Sequence, residues 1–375
     1  MKALLMLEDG FSLAGESITG RGEVFGEVVF NTSMTGYQEI ITDPSYRGQI
    51  LAFTYPLIGN YGVNNEDVES ASPQAEAVLI KEHCRRPFNR RAVGSLAGYL
   101  ERYGVLCVEG IDTRSLALHL RGAGTMKGAV STGVSSREER EELLARVRAL
   151  PGIGKQDPVS LVTCEADYSW PDTGDGSINQ NALSGGESAP HVVVYDLGVK
   201  YSILRRLAAC GCRVTVVPAG TGASRILAMN PDGMLLSNGP GDPSVLAGPV
   251  AEVRKLLGRL PVFGICLGHQ VLGLALGLQT YKLPFGHRGS NHPVKELSGG
   301  RVRITSQNHG YCVSLDGEKD GTSPTHVSLN DGTLEGMENE ELRLFSLQFH
   351  PEASAGPNDS VSLFDKFLGL MKRGL

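Results

Sequence analysis

The sequence predicts an α/β protein with an N-terminal mixed α/β domain and a C-terminal doubly wound, mostly parallel sheet carrying a nucleophile elbow. Three observations predict it. From His191 onward short apolar runs alternate with helix-like segments, the rhythm of a parallel sheet covered on both faces. Between Pro261 and Leu278 an apolar run passes through a glycine-flanked cysteine into a helical pattern. Residues 1 to about 130 show short β-like runs and glycine turns without that rhythm.

Length and composition bound the rest. With 375 residues and 41% hydrophobic content, the chain can fill two cores, since single domains usually run to about 100–200 residues. The expected division is a domain over 1–164, a linker over 165–190 and a second domain over 191–375. Residues Glu165 to Pro190 are rich in Gly, Ser, Asp and Asn and lack periodicity, as in a linker or crossing loop. A net charge of −6 and a pI near 5.9 argue against a nucleic-acid binder. Arg85, Arg86, Arg90 and Arg91 cluster, and a solvated or partner-facing patch accounts for them. Ala3 to Leu7 is too short for a secretory core, and no apolar stretch approaches the roughly 20 residues that cross a bilayer. A soluble cytoplasmic protein is expected. The 7 cysteines are scattered, so reduced thiols fit; Cys210-x-Cys212 lacks a second ligand pair, and no metal is expected.

In order along the first domain, Ala3 to Leu7, Phe25 to Phe30, Ile50 to Thr54, Ala77 to Ile80 and Val105 to Val108 have strand character. Leu96 to Tyr103 and Ser115 to Arg121 read as helices. Ser136-Arg-Glu-Glu139 is a capping box that opens a helix running to Leu150, which Pro151 closes. In the second domain the strands are His191 to Tyr195, Arg213 to Val217, Gly233 to Ser237 and Val262 to Ile265. An amphipathic helix over Tyr201 to Ala209 separates the first two.

Three motifs of the second domain carry chemistry. In Gly264-x-Cys266-x-Gly268 the glycines allow a strained strand-to-helix turn, and the following helix N-terminus favours a thiolate. A small buried cysteine in a glycine-rich turn fits this turn alone equally well. Phe345 to Phe349 alternates like a strand and ends in His350-Pro351-Glu352; proline extends the segment, so His350 and Glu352 project in similar directions. A carboxylate beside an imidazole can hold its tautomer, which makes Cys266, His350 and Glu352 a nucleophile, base and orienter. His269, three positions after Cys266, is a competing base without an evident carboxylate. Ser237 to Pro243 follows an apolar strand and can turn bare N–H groups toward an oxyanion, together with the Leu267 amide. An ordinary tight turn explains that loop on its own.

Together, Asn238-Gly-Pro-Gly-Asp-Pro243, Gly264-Ile-Cys-Leu-Gly-His-Gln270, Gln307-Asn-His-Gly-Tyr311 and His350-Pro-Glu352 resemble the class I (triad) glutamine amidotransferases. Asn31 to Tyr46, Thr54 to Gly62, Gly110 to Arg114 and Met126 to Gly128 resemble the N-terminal half of the small (glutaminase) chain family of carbamoyl-phosphate synthetases. The likeness covers nearly the whole chain except the linker.

That resemblance implies glutamine hydrolysis to glutamate and ammonia through a thioester on Cys266, with His350 shuttling protons and Glu352 orienting it. It implies that the first domain binds a large synthetase chain, as a heterodimer or a higher oligomer. That chain would use ATP, magnesium and bicarbonate to make carbamoyl phosphate for arginine and pyrimidine synthesis. No phosphate-binding glycine loop occurs here, so no cofactor is expected in this chain. The glutamine contacts implied are Ser45, Gly239, Gly241, Leu267, Gln270, Asn308, Gly310 and Tyr311, the last standing where the family often has phenylalanine. Ser45 belongs to the first domain, which implies a site at an interdomain crevice. The N-terminal motifs argue against an amidotransferase of another synthase. The intact Cys266, His350 and Glu352 argue against a silent scaffold, and the partner-binding domain against a stand-alone hydrolase.

Overall fold

The computed structural model describes residues 1–152, 157–170, 189–314 and 319–372. By its contacts the chain forms two compact units: Met1–Gln156 with Pro284–Gly289, and Asp157–Leu283 with Ser290–Leu375.

In the first unit lie strands β1 (Lys2–Leu7), β2 (Ser12–Ser17), β3 (Glu23–Asn31), β4 (Gln49–Phe53), β5 (Leu57–Ile58), β6 (Ala77–Leu79), β7 (Glu82–His83), β8 (Leu106–Glu109) and β9 (Met126–Ser131). The order β1-β2-β8-β6-β4-β3-β9 closes into a barrel, which leaves its strands no free edge, and β5 pairs with β7 apart from it. Period two sorts the side chains. Val28, Ile50, Ala77 and Leu106 fall in one core, and Val29, Leu51, Val78 and Cys107 in another. Helices α1 (Tyr37–Thr42), α2 (Leu96–Arg102), α3 (Thr113–Ala123) and α4 (Arg137–Ala149) complete the unit. The capping box expected for α4 is present: the Glu139 N–H donates to Ser136 Oγ at 3.1 Å, and Glu139 Oε2 accepts from the Ser136 N–H at 2.8 Å.

The second unit is built on β10 (Tyr168–Trp170), β11 (His191–Asp196), β12 (Arg213–Pro218), β13 (Gly233–Leu236), β14 (Val262–Ile265), β15 (Gln279–Glu296, apart from its Pro284–Gly289), β16 (Val302–Ser314), β17 (Ser323–Ser328), β18 (Leu334–Asn339) and β19 (Leu344–Leu347). They form a 10-stranded sheet in the order β10-β12-β11-β13-β14-β19-β18-β17-β15-β16. The run β12-β11-β13-β14-β19 is parallel, and the strands beyond it pair antiparallel at β10 and from β18 to β17 and β15. Alternate residues of the parallel strands enter separate cores, Val193, Tyr195 and Leu236 on one side, Val192, Val194 and Phe263 on the other. This double burial is why these strands read as continuous apolar runs. The helices are α5 (Tyr201–Ala209), α6 (Ala223–Ala228), α7 (Ala247–Leu256), α8 (Leu267–Ala275) and α9 (Leu363–Lys372).

Two boundaries differ from the sequence expectation. Residues 157–164, expected in the first domain, belong to the second unit, because Val159 is buried in its core and the Cys164 N–H donates to Asp196 Oδ2 at 2.7 Å. The start of the expected 165–190 linker is a strand, β10, whose Trp170 is buried; residues 171–188 of it lie outside the described residues.

Candidate active site

The site is assembled at the C-terminal ends of β11, β13, β14 and β19, the side on which parallel sheets present ligand-binding loops. Cys266 links β14 to α8 with φ 54° and ψ −106°, a strained backbone for a residue with a side chain. Its N–H donates to the Leu347 carbonyl at 2.8 Å, and the Gly268 N–H donates to Ser237 O at 3.0 Å, so two neighbouring strands hold the turn. A Cβ at Gly264 would come within 2.8 Å of the Gly268 carbonyl, and one at Gly268 would run into the Leu236 carbonyl. Both glycines are therefore required by backbone proximity. The Cys266 side chain is buried, with Sγ 3.5 Å from Asn308 O.

His350 follows β19 and is fixed through its backbone, its N–H donating to Ser306 O at 2.9 Å. Its Nδ1 lies 2.6 Å from Glu352 Oε1, as Pro351 between them led one to expect. Glu352 is fully buried, and Lys200 Nζ donates to its Oε1 at 2.9 Å and to the Ala353 carbonyl at 2.9 Å. Burial acts to raise the Glu352 carboxyl, but the charges of Lys200 and His350 and hydrogen bonds to both hold it down at about 2. Burial likewise acts to lower the His350 imidazole. The charges of Glu352 and Cys266, and a hydrogen bond to each, outweigh it and raise the ring to about 10. Lys200, Glu352 and His350 thus form one chain of alternating charge that ends at the Cys266 side chain.

His269 stands apart from this chain. Its Nδ1 lies 2.8 Å from Ser346 Oγ, and complete burial pushes its pKa down to about 3, so the ring is neutral at physiological pH.

The glycine loop after β13 is held from below. Ser237 Oγ accepts from the Leu197 N–H at 2.9 Å, and Asn238 Oδ1 from the Lys200 N–H at 3.1 Å. A Cβ on Gly239 would strike the Leu197 carbonyl. Gly241 has φ +93°, and a Cβ there would come within 2.6 Å of Pro158 Cγ. Leu267 opens α8, so its N–H has no intrahelical acceptor. Gln270, one turn on, donates from Nε2 to Tyr311 O at 2.8 Å and to Gln348 Oε1 at 3.1 Å. Asn308, Gly310 and Tyr311 lie on β16, and it is the Tyr311 backbone that Gln270 engages, so tyrosine in place of phenylalanine leaves this contact intact. Ser45 belongs to the other unit, in a short helical turn whose Asp43 accepts from the Ser45 N–H at 2.9 Å.

Sequence reasoning missed Lys200 and the residue that sets it, Asp196. The Asp196 carboxylate accepts N–H donations from Cys164, Gly198 and Val199 at 2.7, 2.9 and 2.8 Å. An Asp that ends an apolar strand two positions before a glycine is a turn signal, and it could have marked this loop.

Comparison with known proteins shows the family of both halves of the chain. Residues 193–370 match the family described as "Glutamine amidotransferase class-I", and residues 5–130 match "Carbamoyl-phosphate synthase small chain, CPSase domain". The chain is 50% identical over 377 residues to the carbamoyl phosphate synthase small chain of Syntrophotalea carbinolica, spanning 100% of this chain and 98% of that one. It is 49% identical to the chain of that name from Nitratidesulfovibrio vulgaris (100% of both) and 48% identical to that of Symbiobacterium thermophilum (98% of both).

Proposed function

Given that the chain belongs to the carbamoyl-phosphate synthase small-chain family, as a glutamine-hydrolysing small subunit, we propose that it works through a glutamyl thioester on Cys266 and passes the ammonia to a large synthetase chain. The observation that carries the reading is the buried relay from Lys200 through Glu352 and His350 to Cys266.

In this mechanism the Cys266 thiolate attacks the side-chain amide carbon of glutamine. The N–H groups of Gly241 and Leu267 receive the oxyanion that forms. The His350 imidazolium donates its Nε2 proton to the leaving nitrogen, so the C–N bond breaks and ammonia departs. Neutral His350 then takes a proton from water, whose oxygen attacks the thioester and releases glutamate and the thiolate. Glu352 holds Nδ1–H throughout, and Lys200 keeps Glu352 ionised. Gly239, Gln270, Asn308, Gly310, Tyr311 and Ser45 would bind glutamine, and no metal or cofactor takes part in this chain's step.

The large chain would consume the ammonia with bicarbonate and magnesium ATP, giving carbamoyl phosphate for arginine and pyrimidine synthesis in the cytoplasm. Among the described residues no helix is long and apolar enough to cross a membrane. The test is glutamate release by the small and large chains together, wild type against Cys266→Ser. Loss of glutamate release in the variant supports the thioester; undiminished release rules it out.

A further inference from the structure

Behind Tyr311 runs a second buried polar chain that the mechanism does not use. Glu335, on β18, is fully buried. Gln307 Nε2 lies 2.9 Å from Glu335 Oε2 and 3.2 Å from Thr305 Oγ1. His309 Nε2 lies 2.9 Å from Gln307 Oε1, and His309 Nδ1 lies 2.9 Å from the Tyr311 carbonyl. The same carbonyl receives Gln270 Nε2, whose other acceptor, Gln348 Oε1, belongs to a residue whose N–H donates to Glu335 O at 2.9 Å. Both routes that fix Gln270 therefore end on Glu335.

We propose that Glu335 is a positioning residue for glutamine binding: through Gln307 it fixes which nitrogen of His309 carries a proton, and so holds the Tyr311 carbonyl on which Gln270 is seated. The inference rests on the glutaminase reading above. A backbone carbonyl can only accept, so His309 Nδ1 must carry a hydrogen. The other nitrogen faces an amide oxygen, which also only accepts, as long as the Gln307 NH2 is turned to the Glu335 carboxylate. Two arrangements satisfy the Gln307 amide and both nitrogens of His309. Either His309 is an imidazolium and Glu335 a carboxylate, with His309 Nε2 4.0 Å from Glu335 Oε1. Or the proton sits on Glu335 and the Gln307 amide is reversed, its NH2 donating to a neutral Nε2. The two hold the same number of protons, and in both Nδ1–H stays on Tyr311.

An apolar side chain at 335 removes the partner that both arrangements need. The Gln307 NH2 loses the nearer of its two acceptors and keeps Thr305 Oγ1, and His309 is free to carry its single hydrogen on Nε2, setting the Nδ1 lone pair against the Tyr311 carbonyl. A glutamine at 335 can instead donate to a reversed Gln307 oxygen, which keeps the Gln307 NH2 on Nε2 and the hydrogen on Nδ1. Leucine and glutamine at this position should therefore differ in their effect on substrate binding.

The experiment is glutamate release by the complex of small and large chains as glutamine is varied, for wild type, Glu335→Leu, Glu335→Gln and the nucleophile variant Cys266→Ser. The result expected is a KM raised about ten-fold in Glu335→Leu, the order of one lost buried hydrogen bond, with kcat within about two-fold. Glu335→Gln is expected to return KM to within about three-fold of wild type. Gln307→Met interrupts the same chain and should raise KM similarly if Glu335→Leu does not fold. Imidazole 15N spectra of the wild type add a reading that needs no variant: His309 is expected to be protonated at Nδ1, and a ring protonated at Nε2 alone overturns the proposal. An unchanged KM in Glu335→Leu, a loss confined to kcat, or no recovery with glutamine also overturns it while leaving the glutaminase reading intact. A wild type that releases no more glutamate than Cys266→Ser overturns both.

Discussion

The Nζ of Lys200 lies 2.9 Å from Oε1 of Glu352, and both side chains are sealed from solvent, at 3% and 0% exposure. Opposite charges this deeply buried stabilise one another chiefly by sparing each the cost of standing alone. The pair also gives His350 a fixed anion to lean on, and the following expectations come from that relay and the loops around it.

Lys200→Met strips the buried Glu352 of its lysine partner. Breaking a buried pair from one side costs about 3–5 kcal/mol, so a markedly lower melting temperature is expected. Glutamate release should fall with it, since a protonated Glu352 no longer holds the His350 imidazolium. Thermal unfolding and steady-state kinetics of the same preparation check both.

The stability of the relay should depend on pH in a stated direction. Glu352 is held at about 2 against an ordinary 4.5, so its contribution is complete above pH 4.5 and is lost as the pH falls toward 2. At about 1.4 kcal/mol per unit this is roughly 3 kcal/mol. His350, raised from 6.5 to about 10, contributes fully below pH 6.5 and loses its share as the pH climbs through 10. Urea midpoints measured from pH 3 to pH 10 should show both limbs, and Glu352→Gln should flatten the acid one.

Gly241→Ala asks a residue with a Cβ to hold φ +93° with Pro158 Cγ 2.6 Å away. The loop must shift and take the Gly241 N–H with it. Removal of an oxyanion donor costs about 10²–10³ in kcat, and a loss of that order with a smaller change in glutamine KM is expected.

At position 266 the backbone strain can be separated from the sulfur. Neither Cys266→Gly nor Cys266→Ala has a nucleophile, but only alanine retains a Cβ at φ 54°. The glycine variant is expected to unfold at higher urea than the alanine variant, by an amount of about 1–3 kcal/mol. Equal midpoints would mean that the turn is not strained.

Much of this was legible in the sequence, and the rest was not for identifiable reasons. The strands of the parallel run announce themselves because burial on both faces removes polar residues from them, and α4 because its capping box is local. The glycines around Cys266 are visible because a Cβ has no room there. Lys200 left no comparable mark: its partner Glu352 is 152 residues away, and a lone lysine after a turn looks like any surface lysine. The antiparallel extension was missed because β15 and β16 are long and carry many polar residues, including Gln307, Asn308 and His309, which serve the interior rather than solvent. The boundary at 156 was missed because single anchors, Val159 and Trp170, hold an otherwise polar stretch.

That stretch sets where the amidotransferase half could be severed. Cutting before His191 would strip away Pro158 from Gly241, the Cys164 donor from Asp196, and the edge strand that covers β12. The excised half would keep Cys266, His350 and Glu352 but lose the brace beneath its glycine loop. An autonomous piece would have to begin at Asp157.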